Sequence, residues 1–225
     1  MFPVRDSGRS RQLPLVTYTL IALNVLIFLW DRNFNLFGSR VVFSDLTMVP
    51  SAITGALTGD GNPNVLVTIF TSMFLHANLV HLIGNLLFLM TFGENVEAGM
   101  GSPRFALMYL FWGIVAAAAH ILVMPDSLIS TLGASGAIGG VLGSYFLLFP
   151  GNRISIMVPP FIFWTFEVAA WILLGMWFLW QILFPQEGVA NWAHAGGFLA
   201  GMLTVLIAGG RLRLLKDKEF EFDDD

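Results

Sequence analysis

Cysteine is absent from the 225 residues, which removes disulfides, thiolate nucleophiles and cysteine-built zinc sites together. Charge is nearly as scarce. Asp, Glu, Lys and Arg make up 12% of the chain, about half the share that covers a soluble domain of this size. The net charge of -4 carries little information, because Glu219, Glu221, Asp223, Asp224 and Asp225 gather at one end and read as a solvated, disordered tail. No basic footprint for nucleic acid is present. No His-Glu-x-x-His segment occurs, and His76 and His81 are five apart, roughly 140° around a helix. The expectation is therefore no metal and no cofactor.

What the chain has instead is apolar sequence: 56% hydrophobic residues and a mean hydropathy of +0.75, which make lipid the expected solvent. Uncharged stretches of about 18 residues or more are candidate membrane spans. Six are expected: 13–30, 75–93, the stretch between Arg104 and Asp126, 133–150, 161–184, and the stretch between Glu187 and Arg211. The first follows Arg5, Arg9 and Arg11 but lacks a small-residue cleavage site, so it reads as a retained helix. One face then collects Arg5, Arg9, Arg11, Arg104, Arg153, Arg211, Arg213, Lys216 and Lys218, against Arg32 and Arg40 on the other. That bias puts both termini in the cytoplasm. The expected fold is an all-α, polytopic six-helix bundle with a long external first loop (31–74) that could lie partly in the interface. A basic N-terminal tail (1–12) and a charged C-terminal tail (211–225) flank the bundle domain (13–210).

Ionisable or strongly polar side chains inside a span are costly and read as functional candidates. They are His76, His81 and Asn85 around the second span, His120 in the third, Ser135 at the start of the fourth, Glu167 and Gln181 in the fifth, and His194 in the sixth. At 1.5 Å per residue, Ser135 lies roughly 22 Å above Pro150, His194 roughly 25 Å above Arg211 and His81 roughly 20 Å above Glu94. The three even spans thus bring them to one level, with Asn85 a turn below His81 on the same face. Gly136 and Gly140, Gly139 and Gly143, and Ala193, Gly197 and Gly201 repeat at intervals of four. Such stripes let two helix backbones touch in a membrane. If they face each other, Ser135 meets His194. A neutral imidazole can activate a serine hydroxyl, and the start of a helix favours developing negative charge. Spacing alone leaves the other polar groups bland: a structural hydrogen bond for His120, snorkelling for Glu167, interhelical glue for Gln181. Phe161, Phe163, Trp164, Phe166, Trp171, Trp177 and Trp180 read mostly as a lipid-facing belt or as packing, and Gly113 as a position remote from the site.

With these residues in place the sequence resembles the rhomboid intramembrane serine proteases. The matching pieces are Gly133-Ala134-Ser135-Gly136, the run from His76 through His81 to Asn85, and Ala193-His194-Ala195-Gly196-Gly197. They occur in the family's order on the second, fourth and sixth spans. The resemblance implies Ser135 as nucleophile and His194 as general base. It also implies an oxyanion hole of the Ser135 N–H, His81 and Asn85, a supporting role for His76, and a lateral gate at the fifth span. It further implies other membrane proteins as partners, cut near the outer end of a membrane helix. The compact form suggests a prokaryotic plasma membrane. Two departures stand out. Gly139 occupies the place where members carry a ring that stacks on the catalytic histidine, and Arg40 is the nearest candidate for a first-loop arginine motif.

Rival readings fit less well. An aspartyl intramembrane protease needs two aspartates within spans, and a transporter is expected to show repeat symmetry or paired broken helices. A protease-inactive rhomboid-like binder would have lost the serine or the histidine, and both are here.

Overall fold

The structure, a computed structural model, describes residues 2–37, 43–158, 161–216 and 218–222; Arg40 and Asp223 to Asp225 lie outside them. Six helices of 14 residues or more build the body among the described residues. They are α1 (Leu15–Asp31), α4 (Leu79–Met100), α5 (Ser102–Val123), α6 (Ser135–Leu148), α7 (Ala170–Leu183) and α8 (Asn191–Ile207). Short helices α2 (Pro50–Thr58) and α3 (Thr68–Thr71) fold within the first loop, and α9 (Gly210–Leu214) follows α8. By length and composition α4 and α5 could cross a membrane, while α1, α6, α7 and α8 are shorter apolar helices. The apolar residues left uncovered sit on the periphery: Leu107, Phe111 and Leu122 of α5, Trp171, Met176 and Leu183 of α7, Leu203 and Ile207 of α8. A rim of that kind suits lipid and not water.

α6 is the axis. From Ala137 to Tyr145 every residue of it is buried, and its glycines decide how closely its neighbours approach. A Cβ at Gly139 would fall 2.7 Å from the His194 carbonyl oxygen, and one at Gly143 would fall 1.9 Å from that of Phe198. In the other direction a Cβ at Gly197 or Gly201 would meet the carbonyl oxygens of Gly136 and Gly140 at 2.1 and 2.0 Å. The α6 and α8 backbones therefore touch along two turns, as the stripes of small residues implied. Gly136 and Gly140 point their missing side chains at Ala116 and Trp112 of α5 instead. Gly113, expected to be remote, is not spare room, for its Cβ would lie 2.1 Å from Met73 Cε.

Several expectations need correction. The chain is not all-α. Strands β1 (Phe2–Asp6), β3 (Arg153–Val158) and β4 (Phe161–Ala169) form an antiparallel sheet, and β2 (Gly8–Ser10) pairs with β5 (Phe220–Phe222). In β3 the pattern is period two, with Ile154 and Ile156 buried and Arg153 exposed, the signature of a strand with one covered face. The fifth helix consequently begins at Ala170 and not at Phe161, because the aromatic and β-branched run before it pairs with β3. Glu167 stands on β4, opposite Ser155 and 3.9 Å from Arg153 Nη1, so it has no helix from which to snorkel. Short pieces of the two expected tails also pair, β2 with β5, while Asp223, Asp224 and Asp225 lie outside the described residues.

The second long helix begins four residues later than expected and runs further, to Met100. Asn78 caps it by accepting from the His81 N–H at 2.8 Å, and Gly101, at φ +84°, ends it. Its buried Glu97 is what allows the extension. The carboxylate accepts from Val16 N (3.0 Å), Thr17 N (2.7 Å), Thr17 Oγ1 (2.8 Å) and Ser102 Oγ (2.6 Å), and so caps the first turn of α1.

Candidate active site

Ser135 opens α6, where the first N–H groups have no partner within the helix. The approach to it is laced from behind. Met48 and Thr131 exchange backbone hydrogen bonds (3.1 and 2.7 Å), and the Gly133 N–H donates to Ser72 O at 2.9 Å. The first loop thus buttresses the segment leading into the serine. Gly133 has φ +123°, and a Cβ there would lie 2.8 Å from both His81 Cε1 and Nε2 and 3.6 Å from Asn85 Nδ2. Only glycine leaves space for those side chains beside the start of α6.

Across the seam, His194 sits in the first turn of α8. Its Nε2 is 2.8 Å from Ser135 Oγ and its Nδ1 is 2.8 Å from Gln181 Oε1 on α7. The Gln181 amide nitrogen donates to the Trp177 carbonyl one turn back, at 3.2 Å. That bond turns the amide oxygen toward the imidazole, so Nδ1 must carry the hydrogen and Nε2 the lone pair. In this tautomer Nε2 is the acceptor of the hydrogen bond from the Ser135 hydroxyl. The Trp177 ring lies against the imidazole, with centroids 5.7 Å apart and planes 32° from parallel.

Ser135, His194, His81, Asn85 and His120 line one cavity of about 750 Å³, bounded on one side by the α7–α8 loop from Pro185 to Ala190. Asn191 holds that loop by donating to Gln186 O (3.1 Å) and Val189 O (3.0 Å). Asn85 is buried, and its Nδ2 has no hydrogen-bond partner among the described residues. His76 is fully buried, precedes α4, and packs edge-on against His81 at 5.2 Å; burial pushes its ring down to about 3, with His81 adding to the effect. Arg32 donates to the carbonyls of His76 (2.8 Å) and Ala77, tying that segment to the end of α1.

The structure thus brings Ser135, His194, His81, Asn85, Gly133, Gly136, Gly139 and Gly197 together, with His76 one layer behind. His120 differs from expectation. Its Nδ1 has no partner among the described residues, and it faces the same cavity. Trp177 packs on the imidazole, the packing alternative of its reading, and Gln181 bonds α7 to His194 of α8, the interhelical contact expected of it, though neither partner was named by the sequence. Both were hidden because α7 is apolar nearly all round, which conceals the face it turns inward. The buried stripe Ala170, Leu174, Gln181 has the spacing i, i+4, i+11, a signal recoverable by asking which side of α7 carries its one polar group.

A family model described as the Rhomboid domain matches residues 63–211, well over half of the chain. The Rhomboid protease GluP of Bacillus subtilis is 31% identical over 197 residues, covering 87% of this chain and 35% of that protein. Rhomboid protein 1, mitochondrial, of Saccharomyces cerevisiae is 30% identical over 152 residues, or 61% of this chain and 40% of the relative. Rhomboid-type serine protease 2 of Emericella nidulans is 30% identical over 153 residues, or 66% and 28%. The chain spans less than half the length of each of these three relatives.

Proposed function

The chain belongs to the rhomboid family, and from that premise we propose that it is an intramembrane serine endopeptidase working through a Ser135–His194 dyad. Six membrane-crossing helices (α1, α4, α5, α6, α7 and α8) and cytoplasmic termini complete the reading, supported by the basic residues gathered on one face. The observation that carries it is the 2.8 Å contact between Ser135 Oγ and His194 Nε2 at the mouth of the cavity.

In this reading the Ser135 oxygen attacks a substrate carbonyl while its proton passes to His194 Nε2. The negative charge forming on the carbonyl oxygen meets the Ser135 N–H, the Asn85 amide and the His81 ring, fixed before the reaction by α6 and Gly133. His194 then gives the proton to the departing amine. Water, deprotonated by the same imidazole, releases the acyl group from Ser135. The substrate is a membrane protein whose helix locally unwinds near the outer membrane face and enters beside α7.

The test is labelling of the detergent-solubilised protein with a fluorophosphonate, run beside cleavage of a model single-span substrate. Wild type is expected to label and cleave, and Ser135→Ala to do neither while melting normally. Cleavage that survives Ser135→Ala would overturn the assignment.

A further inference from the structure

Gly139 leaves no side chain on α6 to hold the imidazole. The His194 carbonyl oxygen occupies the position where a ring would have to begin, 2.7 Å from a Cβ built there. Orientation of His194 therefore has to come from another element, and α7 meets it at two points. Gln181, buried to 6% exposure, accepts from Nδ1 at 2.8 Å, and Trp177 covers the ring face. The acceptor is itself fixed, because the other end of its amide is bound to the Trp177 carbonyl. A continuous chain of hydrogen bonds runs from that carbonyl through Gln181 and His194 to Ser135 Oγ.

We propose that Gln181 is the positioning residue of the dyad: it selects the His194 tautomer that accepts the serine proton, and it does so from α7. The proposal rests on the Ser135–His194 reading. An uncharged amide in this place holds the ring without stabilising a proton on it, unlike a carboxylate. It also makes α7 part of the chemistry. The helix is seated by a narrow stripe, Ala170, Leu174 and Gln181, and leaves Trp171, Met176, Leu179, Trp180 and Leu183 uncovered. Moving it away would take the Nδ1 acceptor with it.

Gln181→Leu keeps the bulk and removes the acceptor, whereas Gln181→Glu keeps an acceptor and adds charge. In Gln181→Leu, kcat and the rate of Ser135 labelling should both fall by roughly 10²-fold, as expected for a misaligned reacting group, with KM little changed. Gln181→Glu should recover much of that rate near neutral pH but shift the acidic limb of the rate–pH profile upward. A carboxylate beside Nδ1 favours the imidazolium, whose Nε2 has no lone pair for the serine proton. The other titratable groups toward His194 are His81 of α4, His120 of α5 and Glu187 of the α7–α8 loop. α6 carries only Tyr145, ten residues from Ser135, and α7 carries none. All are common to wild type and variants, so the displacement reports residue 181. Wild-type labelling in Gln181→Leu, or a higher KM with unchanged kcat, would overturn the proposal while leaving the dyad standing. If Gln181→Leu does not fold, the limb of Gln181→Glu decides, and an unmoved limb overturns it. Failure of wild type to label at Ser135 would instead remove the reading beneath.

Discussion

The two ends of this bundle handle buried polarity in opposite ways. At the end held by β1 and β3, the Asp6 carboxylate accepts from Asn95 Nδ2 (2.6 Å), Asn152 Nδ2 (3.0 Å), Gly8 N (3.1 Å) and the Tyr145 hydroxyl. Glu97 nearby takes four more hydrogen bonds. At the other end Asn85 Nδ2 and His120 Nδ1 are buried without a partner among the described residues, and both side chains line a wide cavity. A saturated polar cluster fixes the register of the elements around it. An unsaturated one costs stability and leaves donors available to a ligand. The base is saturated, and the mouth keeps donors open.

The largest effects should therefore come from the mouth and be felt in rate. Ser135→Ala and His194→Ala should each abolish detectable cleavage without lowering the melting temperature, and the double variant should lose no more than either alone. Additive losses in a single-turnover assay would break the dyad. Next, Asn85→Ala should reduce turnover by about 10² to 10³ with substrate still bound, as loss of one oxyanion donor does. Loss of binding in a pull-down, with turnover per bound complex unchanged, would move Asn85 from chemistry to architecture. Gly139→Val tests the seam between the two ends. Pushing α8 back from α6 should cost on the order of 10² in kcat, while Gly151→Val, where nothing lies within 4 Å of the added atom, should leave cleavage at the wild-type level.

Changes at the base should be felt in stability and not in rate. Tyr145→Phe should lower unfolding free energy by about 1–3 kcal/mol, the cost of a buried acceptor left short of a donor, with kcat of the folded fraction unchanged. A drop in kcat at constant melting temperature would contradict the division. The smallest effect is in pH, and here the ends should oppose each other. Buried His76 titrates near 3, below its ordinary 6.5, so within that interval the unfolded chain holds a proton the folded one refuses, and acidification weakens the mouth. Burial pushes the Asp6 carboxyl above its ordinary 3.8, its hydrogen bonds only partly opposing. Just above 3.8 the folded state is the better proton binder, and acidification favours the base. Melting curves taken as pH falls from 6.5 toward 3.8 should thus decline less for His76→Gln than for wild type, and more for Asp6→Asn. Identical slopes for all three would remove the contrast.

How much of this was legible in the sequence follows from the kind of signal each feature leaves. Ser135, His194 and His81 could be levelled by counting residues, because a charged or polar side chain in an apolar helix has a fixed rise per residue. The α6–α8 seam was legible for a similar reason, since backbone contact requires small residues at intervals of four. β4 was not. Its run of aromatic and β-branched residues has the hydropathy of a lipid-facing helix, and the pairing that makes it a strand lies in β3 and β1, outside any local window. Glu94 was misleading in the same sense: it ended the expected span at Gly93, and the helix runs past it because Glu97, one turn on, is buried where it caps α1, a contact about 80 residues away in sequence. Gln181 shows the remaining gap. Its polarity was visible, but its partner depended on which face α7 turns inward.

The pairing of Phe2 with Met157 also fixes an order of events in time. As the chain is synthesised, β1 emerges first, yet its partner strand exists only after α1, α4, α5 and α6 have been made. Closing a loop of that length is entropically slow, so until then Asp6 stays hydrated and the segment that will become β1 is uncommitted. The strap at the base therefore waits for α1, α4, α5 and α6 to be made, whereas α7 and α8 follow its partner strand in the chain.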